Sequence, residues 1–136
     1  MHWVGWGGTV SGGSGALAAP TATQAELGGP GAGTNPEELL AAAHANCFTS
    51  TLTSLARARD VTLDEIETRA RTRLEWSDTG ADHRLAASDL ELMIRSSSDE
   101  STVKALVREA EEHCPVCRAI SGNVRMTVRV EVRSSG

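Results

Sequence analysis

A chain of 136 residues with 18 acidic against 13 basic side chains, formal net charge −5, is long enough for one compact domain and lacks the basic face that an obligate nucleic-acid partner requires. No apolar run approaches the roughly 20 residues of a membrane span, and the N-terminal stretch, with no Lys or Arg before Arg57 and no continuous apolar segment, does not read as a secretory signal. Three cysteines, an odd number, fit reactive thiols in a reducing compartment better than a secreted disulfide framework, so a soluble cytoplasmic protein is expected.

Ten of the thirteen glycines fall before residue 34, which sets the first quarter apart. It reads either as a flexible arm or as a small sheet. Trp3, Val4, Trp6, Val10 and Leu17 favour the sheet, because a disordered tail has little use for them. Gly12-Gly13 between Thr9-Val10 and Ala16-Leu17 predicts a hairpin turn. So small a sheet needs support from the main body or from a second subunit.

A helix start follows: Asn35 as cap, Pro36 at the first helical position, and Glu38 placed to complete a capping box. From Glu37 to about Ala58 the pattern is helical and so apolar that most of its sides must be covered. Ile66 to Trp76 then alternates, with Ile66, Thr68, Ala70, Thr72, Leu74 and Trp76 on one face and Glu67, Arg69, Arg71, Arg73 and Glu75 on the other. That is a half-buried strand with a solvated charged face. Asp78-Thr79-Gly80 turns the chain, and Leu85 to Arg95 returns with Leu90, Leu92 and Ile94 inward. A second helix is predicted from Ser97 or Ser98 to His113, a short third one from Pro115, closed by Gly122, and a last strand from Asn123 to Arg133. The order implies an α+β fold in a single domain, residues 1–136, with no βαβ repeat to suggest a parallel sheet.

Two thiols stand in distinctive settings. Cys47 lies mid-helix, where its own helix dipole helps little, and it reads as either a buried structural cysteine or a nucleophile activated by neighbours. Cys114 ends the apolar stripe of the second helix, next to Pro115, where backbone N–H groups at the following helix start favour a thiolate. With Cys117 it makes Cys-Pro-Val-Cys, the spacing of a dithiol redox centre and of half a zinc site. His44, His113 and Cys47 are the remaining zinc ligands on offer, yet no second C-x-x-C or H-x₃-H pair exists, and no metal or other cofactor is expected. His44, three residues before Cys47, is either a base or a hydrogen-bonded core histidine. Glu37 and Glu38 suit the helix dipole as well as any chemistry.

Taken together, Gly33-Thr-Asn-Pro-Glu-Glu-Leu-Leu-Ala-Ala-Ala-His-Ala-Asn-Cys-Phe48 and the downstream Cys114-Pro-Val closely resemble the OsmC/Ohr family of thiol peroxidases. The likeness extends over nearly the whole chain, including Leu27-Gly-Gly-Pro-Gly-Ala-Gly33 and Ser121-Gly-Asn-Val124. Cys-Pro-Val is more similar to the OsmC branch, Leu-Gly-Gly to the Ohr branch. The resemblance implies an intertwined homodimer with antiparallel sheets around a long central helix, and residues 1–33 packed on the partner subunit. It implies Cys47 as peroxidatic cysteine, Cys114 as resolving cysteine and Glu37 as catalytic glutamate. The thiolate would reduce an organic hydroperoxide to an alcohol, and a dithiol reductant such as a lipoyl group would reopen the Cys47–Cys114 disulfide. Two departures stand out. The family's N-terminal arginine is absent, with Gln24 or Ala25 at about its place and Arg118 as a substitute nearer Cys114. Cys117 occupies a position where the family commonly carries serine or another polar residue, and it offers an alternative resolving thiol. Loss of the arginine also admits a second reading: a catalytically weak binding protein for an apolar or acyl ligand at the dimer interface.

Overall fold

The structure is a computed structural model and describes residues 1–135. The chain divides into two compact units, Met1–Leu39 and a second that begins at Leu40. In the first unit, β1 (His2–Val4), β2 (Gly7–Ser11) and β3 (Ala18–Ala22) form an antiparallel sheet in that order. The hairpin expected around Gly12-Gly13 joins β2 to β3 and is closed by Gly12 N–H donating to Leu17 C=O at 2.8 Å. The sequence reading did not resolve β1. Its partner β2 runs so close that a Cβ on Gly8 would stand 1.9 Å from the His2 carbonyl oxygen, so only glycine lets the two backbones meet there.

After a 3₁₀ turn, Ala25–Leu27, the chain returns to β3. Thr34 N–H donates to Pro20 C=O at 2.9 Å and Ala22 N–H to Thr34 C=O at 3.0 Å, so the entry to the long helix is tied to the sheet. Gly33 allows this, with φ +107° and no room for a side chain: a Cβ would lie 2.6 Å from the Pro20 oxygen. Helix α1 (Pro36–Ala58) starts as its sequence dictates, with Asn35 Oδ1 accepting the Glu38 N–H at 2.8 Å. The Glu38 carboxylate, expected to complete a capping box, instead accepts from the Thr34 hydroxyl at 2.9 Å.

In the second unit β4 (Glu65–Trp76), β5 (His83–Ser96) and β6 (Arg125–Ser134) form one sheet with β5 central. Helices α2 (Glu100–His113) and α3 (Pro115–Ile120) lie between β5 and β6 in the chain. The α+β class holds, but the sheet is mixed: β4 pairs with β5 antiparallel, whereas β6 pairs with β5 parallel, from Ala87 opposite Arg125 to Ser96 opposite Ser134. The absence of a repeated βαβ pattern concealed this. One crossover, carried by α2 and α3, is enough to bring the chain back so that β6 starts beside the beginning of β5.

The core lies among α1, α2, α3 and one face of this sheet. Phe48, Leu52 and Ala56 of α1 meet Leu90, Leu92 and Ile94 of β5 and Val103, Leu106, Val107 and Ala110 of α2. The opposite sheet face carries the exposed ladder Glu67, Arg69, Arg71, Arg73 and Glu75, paired across to β5 by Arg73–Asp89 at 3.4 Å and Arg95–Glu65 at 3.3 Å. Such exposed pairs contribute roughly 0–1 kcal/mol each, so this face keeps the sheet solvated and adds little to stability. Among the described residues no helix is long and apolar enough to cross a membrane.

Candidate active site

Helix α1 buries a stripe at Ala41, His44, Phe48, Leu52 and Ala56, and Cys47 stands at its margin. Cys47 is half-buried and packs against the cluster that includes Cys114 and Cys117. Cys114 ends the buried stripe of α2 as expected, and the proline after it forces an extended conformation, φ −65° and ψ 116°, that stops α2 and opens α3. Its N–H closes α2 on Ala110 C=O at 2.9 Å, and its sulfur accepts the Cys117 N–H at 3.3 Å. Cys114 is 0% and Cys117 3% exposed, and all three cysteines are free thiols. Among the described residues no group of three or more His, Cys, Asp or Glu side chains is arranged to hold a metal ion.

His44 turns away from the role of base to Cys47 and into the core. Its Nδ1 meets Ser88 Oγ at 2.7 Å and its Nε2 meets Cys117 Sγ at 3.2 Å. Burial holds the imidazole below its ordinary pKa, so it is neutral at pH 7. Burial also pushes the Cys117 thiol up, helped by its hydrogen bond to Cys114 and by the Cys114, Cys47 and Glu111 charges it would oppose as a thiolate. A thiol kept as S–H donates, so the consistent tautomer has Cys117 S–H donating to Nε2 and Nδ1–H donating to the Ser88 hydroxyl.

Gln24 and Glu37 come together in the first unit: the Gln24 side-chain amide donates to the Glu37 carboxylate. Gln24 immediately precedes the 3₁₀ turn, and its carbonyl accepts the Leu27 and Gly29 N–H groups at 3.1 and 2.9 Å, which fixes its backbone. Gln24, one of the two residues expected at about the place of the family's arginine, thus bonds the glutamate through a neutral amide. Arg118, the other substitute considered, lies exposed on α3. Glu37 and Cys47 share an uninterrupted helix, ten residues apart, which is about 15 Å along its axis.

The His44–Ser88–Cys117 chain was missed in the sequence, although a signal for it exists. Ser88 has the parity of Leu90, Leu92 and Ile94, so it points inward on β5, and a hydroxyl among core residues requires a partner.

The chain matches the family model described as OsmC-like protein over residues 29–129. It is 35% identical over 98 residues to the organic hydroperoxide resistance protein OhrA of Bacillus subtilis, covering 71% of this chain and 67% of that one. To the peroxiredoxin OsmC of Escherichia coli it is 31% identical over 99 residues, 73% and 68% of the two chains. The crystal structure of the organic hydroperoxide resistance protein OhrB of Bacillus subtilis superposes with a TM-score of 0.72 at 25% identity, covering 95% of this chain and 93% of that one. Motif, fold and these likenesses agree: the chain belongs to the OsmC-like protein family.

Proposed function

We propose that the protein is a cysteine-based peroxidase that reduces organic hydroperoxides to alcohols, working as a cytoplasmic homodimer. The observation that carries this reading is the convergence of the half-buried Cys47 with the buried Cys114 in one core cluster, in a chain of this family. The Cys47 thiolate attacks the distal oxygen of the hydroperoxide, the O–O bond breaks, and the alcohol leaves with one proton taken up. Cys47 is then a sulfenic acid. Cys114 attacks it, a Cys47–Cys114 disulfide forms and water leaves; an external dithiol, such as a lipoyl group, restores both thiols. The apolar side chains beside Cys47 favour organic over hydrogen peroxide.

Glu37, with Gln24 bonded to it, serves a thiol other than the one on its own helix, because the axial spacing of about 15 Å exceeds a carboxylate's reach. The glutamate of one subunit therefore completes the site of the other, with residues 1–33 packed on the partner. A neutral amide at position 24 orients the carboxylate but brings no positive charge to the thiolate, so turnover is slow for the family.

The decisive experiment is a coupled assay with cumene hydroperoxide and a dithiol. Turnover in the wild type and none in a folded Cys47→Ser variant is the expected result. Turnover retained in Cys47→Ser places the chemistry elsewhere, and no turnover in either leaves the fold as a binding protein for an apolar ligand.

A further inference from the structure

The peroxidase reading uses two thiols, and the molecule holds a third in the same cluster. Cys117 is buried, its N–H is bonded to the Cys114 sulfur, and its own sulfur is bonded to a neutral imidazole that is itself held by Ser88. Core packing alone does not ask for a sulfur with a base aimed at it. The Cys-Pro-Val-Cys spacing puts the two sulfurs on successive turns at one helix start, the arrangement in which a C-x-x-C pair closes to a disulfide.

We propose that Cys117 is the terminal thiol of a three-cysteine relay: it attacks Cys114 in the Cys47–Cys114 disulfide, His44 Nε2 takes its proton, and the oxidation comes to rest as a Cys114–Cys117 disulfide. The Cys47–Cys114 bond breaks as the Cys114–Cys117 bond forms. Cys47 leaves as a thiolate and recovers the proton, so one disulfide replaces another with no external oxidant or reductant. This step rests on the peroxidase reading, which supplies the first disulfide.

Burial is the first reason Cys117 stays protonated in the reduced protein, and its contacts with Cys114 and Cys47 add to it. Joining those two sulfurs in a disulfide removes the charge either could carry beside Cys117, while burial remains. His44 Nε2, 3.2 Å from the Cys117 sulfur, is placed to take the proton as Cys117 attacks.

The relay predicts a stoichiometry. Without reductant, the returned Cys47 thiol meets a second hydroperoxide, so each wild-type subunit consumes two equivalents of cumene hydroperoxide and Cys117→Ser consumes one. After a single equivalent, acid quench and alkylation, peptide mapping of the wild type gives linked Cys114–Cys117 with alkylated Cys47; Cys117→Ser gives linked Cys47–Cys114. In His44→Gln the conversion of the first disulfide to the second slows by roughly a hundredfold, the lower end of general-base assistance. A wild type that stops at Cys47–Cys114 after one equivalent, with Cys117 alkylated, overturns the relay and leaves the peroxidase reading standing. If Cys47→Ser forms Cys114–Cys117 at the wild-type rate, the peroxidatic role of Cys47 fails and the relay fails with it.

Discussion

In the first sheet, β1 is exposed along its whole length, and its Trp3 and Trp6 in the turn to β2 are 43% and 61% exposed; in the second, Leu90 and Ile94 of β5 are 0% exposed. Both sheets have three strands, yet only Thr21 and Ala22 are buried in the first, while the second shares a core with α1, α2 and α3. Backbone ordering costs about 1–2 kcal/mol per residue, and burying an apolar side chain returns about 1.5–3 kcal/mol. The second sheet has that return within the chain. The first has backbone hydrogen bonds and glycine contacts, and two tryptophans with apolar surface left to cover. One region stabilises itself; the other carries surface suited to being stabilised by something else. Under the proposed function, that is a second copy of the chain.

The contrast is open to direct tests. The largest effect is expected from mixing Glu37→Gln subunits with Cys47→Ser subunits, each inactive alone. After random exchange, half of the dimers hold one site with both wild-type groups, so about a quarter of wild-type turnover returns. A dead mixture with verified exchange would show that Glu37 and Cys47 do not meet across an interface. Next in size, Phe48→Ala is expected to cost about 3–5 kcal/mol in urea unfolding, because its ring is wholly buried.

A smaller effect separates the regions by pH. The folded pKa of His44 is depressed by burial below its ordinary value of 6.5. The unfolded chain therefore binds this proton more readily than the folded one. Stability owed to neutral His44 is complete above pH 6.5 and falls as pH drops through that value toward the folded pKa, by at most about 1.4 kcal/mol per pH unit. Denaturant midpoints measured across this window should show the fall in the wild type and lose it in His44→Gln. Smallest of all, Trp3→Ala at high dilution should change unfolding free energy by less than about 0.5 kcal/mol. A larger loss that grows with protein concentration would show the ring covered by a second copy.

Periodicity made much of the second unit legible. The alternation from Ile66 to Trp76 and the stripe from Val103 to Cys114 gave their elements to within a few residues, because each buries one face and must repeat with its own period. The pairing of β6 was not legible: strand direction is fixed by where α2 and α3 bring the chain back, and Arg125–Ser134 reads the same in either sense. The strand at His2–Val4 escaped notice since three residues show no period and its partner's key residue is a glycine. At the site, the motif drew attention to Cys47, Cys114 and Glu37, and Gln24 followed from a missing arginine. The link from His44 to Cys117 spans 73 residues and needed the folded core to appear.

The crossover that carries Cys114 and Cys117 also sets a schedule for synthesis. Cys47 is added to the chain 67 residues before Cys114. At about 5–20 residues per second, that is an interval of roughly 3–13 s. During it the nascent chain carries one thiol, with no second cysteine yet made. Under the proposed function, a hydroperoxide met in that window would leave Cys47 as a sulfenic acid open to further, irreversible oxidation. The parallel strand β6 is made after both late cysteines, so under the proposed function the sheet is completed only once the chain holds the thiols that resolve Cys47.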